Sequence, residues 1–239
     1  MKLFILVLLA LSLRLSAQDP IEDKSGFSLG LVISPELSYR SYSLTTKGKE
    51  HDYLVNYGLP WRDSLESSKF SPSIGLAVLY NINKKVLIES GVYYANKGYK
   101  IDHMFITTQS GTTIREAKIT YNYKYVDIPF KVNFNIIDKK VKLFLSGGVI
   151  ANILINLNTR LEEEGWPAQE NSSRDFSSPF NVSLVAGVGI DYDISNKIVL
   201  RLQPQYQRFI TSADNSPSTD FLKEYLYSYS VNFGVFYKL

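Results

Sequence analysis

One pattern constrains this chain more than any other: apolar side chains recur at every second position through eight separate runs. Alternation of that period places successive side chains on opposite faces of a β-strand, whereas a helix needs a period near 3.6. The runs cover residues 27–40, 70–82, 88–97, 126–135, 141–152, 182–192, 198–207 and 225–239. In the first, Phe27, Leu29, Leu31, Ile33, Leu37 and Tyr39 oppose Ser28, Gly30, Ser34, Glu36, Ser38 and Arg40. The sixth sets Val182, Leu184, Ala186, Val188, Ile190 and Tyr192 against Ser183, Gly187, Gly189 and Asp191. No segment carries helical periodicity over two or three turns.

The connections alternate in length. Asn83-Lys84-Lys85, Asp138-Lys139-Lys140 and Ser195-Asn196-Lys197 are tight polar turns, and between them lie polar loops at about residues 43–69, 99–120, 159–179 and 211–224. Short turns at one end and long loops at the other are the organisation of outer-membrane barrels. With eight strands both termini fall at the short-turn end, and three turns and four loops complete the count.

The aromatic positions decide which face meets lipid. Phe27, Tyr80, Phe134, Tyr192 and Tyr237 fall at the short-turn ends of the apolar faces, and Tyr39, Phe70, Tyr94, Phe180 and Tyr206 near the long-loop ends. Two aromatic rings around an aliphatic band are interfacial girdles. A soluble ligand-binding barrel inverts the pattern, with an apolar lumen and a polar exterior. The expected fold is therefore all-β: an eight-stranded antiparallel up-and-down transmembrane β-barrel.

The N-terminus reads as a targeting signal, with Lys2 as the basic start, Leu3 to Leu13 as the apolar segment and Leu15-Ser16-Ala17 as the cleavage site. The expected division is residues 1–17 as signal peptide and 18–239 as the barrel domain. Residues 1–17 contain Lys2 and Arg14 and no acid, so the remainder carries 24 basic and 23 acidic residues. That balance gives no support for nucleic-acid binding. With no cysteine among its 239 residues, the chain has no disulfide, thiol nucleophile, thiolate metal site or lipidated N-terminal cysteine.

Three stretches carry a family resemblance. Glu89-Ser90-Gly91-Val92-Tyr93-Tyr94-Ala95-Asn96-Lys97-Gly98-Tyr99 resembles the third strand of PorT-like outer-membrane β-barrel proteins, common in Bacteroidetes. Tyr125-Val126-Asp127-Ile128-Pro129-Phe130-Lys131-Val132 resembles that family's next strand, and Leu143-Phe144-Leu145-Ser146-Gly147-Gly148-Val149 the Gly-containing one after it. The resemblance implies an outer-membrane location. It bears on function only loosely, because the family's namesake supports protein secretion while most members have no assigned role.

Charges on the inward face form the first candidate constellation: Glu36, Arg40, Glu89, Lys97, Asp127, Lys131 and Arg201. An eight-stranded barrel is just wide enough to be filled by side chains, and an unpaired charge there is costly. Glu36, Glu89 and Asp127 are expected to pair with these cations as a structural network, with a narrow ion path as the alternative. The only histidines, His51 and His103, stand in loops. Set with Asp52 and Ser64, or with Asp102, they are the only material for a lipid-modifying enzyme at the barrel rim. No catalytic, cofactor or metal residue is assigned on that basis.

The second candidate is a loop surface made of Tyr57, Leu59, Trp61 and Trp166, because apolar loop residues mark interaction sites unless they fold inward as a lid. The functional expectation is a non-enzymatic scaffold, binding or secretion/envelope accessory protein acting through its external loops. Expected partners are outer-membrane lipid, the barrel-assembly machinery and secretion or envelope proteins. The termini are expected to be periplasmic and the long loops extracellular.

Overall fold

The computed structural model describes residues 26–107, 114–175, 177–215 and 221–239; the expected signal peptide lies outside them. Eleven strands form one antiparallel sheet. They are β1 (Phe27–Ser34), β2 (Glu36–Leu44), β3 (Glu66–Phe70), β4 (Ser73–Asn81), β5 (Val86–Thr107), β6 (Ile114–Asp138), β7 (Val141–Glu163), β8 (Gln169–Ser172), β9 (Phe180–Asp193), β10 (Ile198–Phe209) and β11 (Leu222–Lys238). β1 continues into β2 across Pro35, and β3 into β4 across Ser71-Pro72, so ten of the strands make eight staves. Proline cannot donate to a ladder, and both interruptions fall at one, although Pro129 and Pro204 are carried within β6 and β10.

The sheet closes on itself. Leu29 pairs with Tyr237 where β1 meets β11, and each remaining stave pairs with its sequence neighbour. β8 alone lies off the ring, paired with β7. Closure removes the edges, so every strand of the ring has both ladders, which an element within a bilayer requires. The eight-stranded barrel expected from the alternation is the fold observed.

Outward exposure follows the alternation. In β1, Phe27, Leu29, Leu31 and Ile33 face out while Ser28, Gly30, Val32 and Ser34 are buried. The short connections are the three anticipated: Asn83 Oδ1 accepts from the Lys85 and Val86 amides at 2.8 and 2.9 Å, and Ser195 Oγ from the Lys197 and Ile198 amides at 3.2 and 3.1 Å. Such side-chain acceptors mimic a backbone turn.

The long-loop end departs from the expectation. β5, β6 and β7 run 22, 25 and 23 residues, about twice the 9–11 residues of a tilted membrane strand. Most of 99–120, read as loop, is a ladder from Tyr99↔Tyr121 to Thr107↔Ile114, interrupted by a bulge between Ile101 and Met104, and much of 159–179 is the β7–β8 hairpin. The physical reason is an inversion of the pattern. Beyond the girdle, inward positions become apolar (Tyr99, Ile101, Tyr123, Tyr125, Phe209, Leu226) and outward ones polar (Lys100, Asn122, Lys124, Arg208). The loop 43–69 also holds helix: α1 (Thr46–Lys49), a π-helical turn (Leu54–Gly58) and α2 (Leu59–Leu65).

Candidate functional site

The lumen is filled in layers, and the parity of each strand decides which side chains enter it. Nearest the short turns, Arg201 of β10 donates from Nε and Nη2 to both carboxylate oxygens of Asp191 on β9, each at 2.7 Å. Its Nη1 reaches Glu89 of β5 at 2.6 Å, and Lys131 of β6 holds the other Glu89 oxygen. Asn133 Nδ2 completes Glu89 at 2.9 Å. The guanidinium carbon lies 4.5 Å from the centre of the Phe144 ring and 4.9 Å from that of Phe236. Those rings have room because Gly189 and Gly30 lack a Cβ, which would stand 2.1 Å from Phe144 and 2.4 Å from Phe236.

A second layer sits one step higher. Lys97 Nζ lies 3.1 Å from Glu36 and 3.4 Å from Asp127, and donates to Gln207 Oε1 at 3.0 Å. Asn152 Nδ2 donates to Asp127 at 2.6 Å, Ser183 Oγ to Asn152 at 2.8 Å, and Gln207 Nε2 back to Ser183 at 2.7 Å, closing a loop of hydrogen bonds. Between the layers is a space of about 30 Å³ lined by Tyr93, Lys97, Asp127 and Lys131, room for roughly a water or two.

The third layer lies beyond the girdle. Arg40 stacks on Tyr99 at 4.1 Å and pairs with Glu66 and Glu224. Arg62 Nε donates to Glu66 at 2.9 Å, and Tyr123 Oη donates to Glu224 at 3.3 Å.

The structure thus brings Glu36, Lys97 and Asp127 together, and separately Glu89, Lys131 and Arg201. Arg40 belongs to neither group. Its acids, Glu66 and Glu224, stand in stretches assigned to loops, and Asp191 was placed inward but not joined to the network. Parity was the signal for both Asp191 and Glu224, which share the inward face with Gly189 and with Ser228. Nothing local marks Glu66, because its even position is out of phase with the inward odd positions Lys69, Ser71 and Ser73 that follow it.

The loop residues divide. Tyr57 and Trp61 are 67% and 58% exposed, and Trp166, just past Gly165 in the β7–β8 turn, is 55% exposed. Leu59 does not belong with them: it is buried, because α2 lies with one side against the barrel mouth and Leu59 begins that side. Tyr53, not singled out in sequence, takes its place at 70% exposure, its ring stacked 6.0 Å from that of Tyr57. Residues 53, 57 and 61 are four apart on a helical segment, so their rings line one face.

The histidines do not assemble a triad. His51 Nδ1 accepts from the Leu54 amide at 3.3 Å, while Ser64 Oγ donates to the Trp61 carbonyl at 2.7 Å. His103 contacts Glu116 rather than Asp102, whose carboxylate takes the Ser67 hydroxyl and lies 3.5 Å from Lys118. Among the described residues no cluster of three or more His, Asp or Glu could hold a metal.

Comparison with known proteins agrees with this architecture. The family model described as "outer membrane protein beta-barrel domain" matches residues 17–206. No curated protein matches the chain. Among solved structures, a major outer membrane protein from Thermus thermophilus is similar at a TM-score of 0.51 and 11% identity, over 91% of this chain and all (100%) of that one. Neisserial surface protein A is similar at 0.44 and 14% identity, over 89% and 97% of the two chains. Ail of Yersinia pestis is similar at 0.40 and 12% identity, over 91% and 100%. With the family model spanning most of the sequence and the strands closed in a ring, this chain belongs to the outer-membrane β-barrel family.

Proposed function

We propose that this barrel is a non-enzymatic anchor that presents its long-loop surface to a partner, in the manner of a secretion or envelope accessory protein. One observation carries the reading: three exposed rings, Tyr53, Tyr57 and Trp61, line a helical segment seated over a lumen filled with paired charges. Exposed aromatic rings on a fixed element are what an interface uses as anchors. In this reading residues 1–17 are a signal peptide, the termini and short turns are periplasmic, and the loops are extracellular. The PorT-like strand motifs at 89–99 and 125–132 support a place among barrels that serve secretion.

Photo-crosslinking in intact cells tests the proposal. A benzophenone side chain at Trp61 is expected to give discrete adducts that disappear when Tyr53→Ala and Tyr57→Ala are added, while the same probe at Lys139 gives none of them. Identical adducts at both ends, or none at Trp61, defeat it.

A further inference from the structure

The short-turn end carries an uncompensated ring of positive charge. The described residues of its rim include seven lysines, Lys84, Lys85, Lys139, Lys140, Lys142, Lys197 and Lys238, against two aspartates, Asp138 and Asp193. Both aspartates are already engaged: Asp193 by Lys142 at 3.3 Å and Lys238 at 2.7 Å, and Asp138 by Lys142 at 3.8 Å. Asp191, deeper in the same mouth, is committed to Arg201. Five exposed lysines are left, at positions 84, 85, 139, 140 and 197, with no carboxylate partner among the described residues.

Their placement is held by the backbone. The carbonyls of Lys85, Lys140 and Lys197 accept from the Asn135, Asp193 and Lys238 amides at 2.7, 3.1 and 2.8 Å, and the Lys84 carbonyl accepts from Asn135 Nδ2 at 2.8 Å. Two of the five mark their own depth. Lys140 Nζ lies 5.5 Å from the centre of the outward-facing Tyr192 ring, and Lys197 Nζ 5.8 Å from that of Tyr237. Girdle tyrosines sit at headgroup level, with their rings at the edge of the hydrocarbon. An ammonium beside such a ring therefore stands where lipid phosphates lie. The three lysine-bearing turns separate different pairs of staves, so the charge is distributed around the mouth.

We propose that this collar is a binding surface for anionic phospholipid headgroups in the leaflet that meets the short-turn end. Anionic lipid attracts basic side chains near its surface by about fivefold in affinity per lysine, an effect that salt screens. The barrel would then be held at a fixed depth and surrounded by a selected lipid population.

The test uses the full barrel chain in phosphatidylcholine vesicles containing spin-labelled phosphatidylglycerol or spin-labelled phosphatidylcholine. The spectrum reports the fraction of each lipid immobilised on the protein. A several-fold preference for phosphatidylglycerol is expected, falling at high salt and lost in the K84Q/K85Q/K139Q/K140Q/K197Q variant. It is expected to survive in a K100Q/K124Q/R208Q variant of the long-loop end. Should the five-fold variant fail to fold, K139Q/K140Q and the salt series on the wild type give the same reading. Equal immobilisation of both lipids by the wild type overturns the proposal, as does a preference unchanged in the lysine variants. A thermal midpoint raised by inorganic phosphate in pure phosphatidylcholine, through the same lysines and without lipid selectivity, also overturns it, by assigning the charge to a soluble anion.

Discussion

At the scale of single residues, Arg201 is the centre of the lumen. A lysine would offer only a point charge; the planar guanidinium binds Asp191 through two donors, reaches Glu89 with a third and still offers its faces to Phe144 and Phe236. Removing one partner of a buried pair leaves the other charged and dry. Arg201→Met is therefore expected to lower the unfolding free energy in urea by about 3–5 kcal/mol, because Asp191 loses both donors. A variant as stable as the wild type would show that the pair contributes nothing net. Gly189→Ala tests the packing beneath it. The new methyl would enter the Phe144 ring, and such overpacking costs about 1–3 kcal/mol in the same titration.

Among the elements, the hairpin that β5 and β6 raise beyond the girdle is built on the reverse rule from the staves below it. Its tyrosines turn inward onto Phe209 and Leu226, and its lysines meet water. β3 leans on this hairpin through Ser67, whose hydroxyl donates to Asp102. That hydroxyl, with Lys118 adding to it against partial burial, holds the Asp102 carboxyl below its ordinary value. A carboxylate lowered by folding stabilises the native state at neutral pH, and this is withdrawn as pH falls through the lowered value. The Asp102 carboxyl carbon followed by NMR should therefore titrate below about 3.9 and move back toward it in Ser67→Ala. An unchanged midpoint in that variant would dissociate Ser67 from the effect.

Taken as a whole, the molecule is open at one end and closed at the other. The short-turn mouth leads into a cavity of about 750 Å³ lined by Leu79, Leu87, Val199, Lys84, Lys140, Lys142 and Lys238, which reaches in as far as Asp191, the partner of Arg201. Above that come the Lys97 layer, the tyrosine cluster and the helical segment. Proteoliposomes carrying the barrel should therefore take up small sugars no faster than empty vesicles. Deleting residues 46–65 should leave that unchanged, because the Arg201 and Lys97 layers lie beneath. Rapid swelling with either chain would mean that the lumen is not filled as described.

Much of this was legible before any tertiary structure. The staves, the three turns and the outward faces follow from period-two alternation and turn chemistry, which act between neighbours in sequence and are written locally. Two things were not. The upper parts of β5, β6 and β7 read as loops because alternation marks a strand only relative to the solvent its outer face meets, and that solvent changes at the girdle. The pairing of charges across the lumen could not be read, although Arg201 with Asp191 and Lys131 with Glu89 are direct partners in neighbouring strands. Glu89 and Arg201 stand 112 positions apart, Arg40 and Glu224 stand 184 apart, and only the register at which the ring closes sets such pairs. Parity can place a side chain inside the barrel and a hairpin can pair it with the next strand; closure alone chooses its neighbour across the lumen.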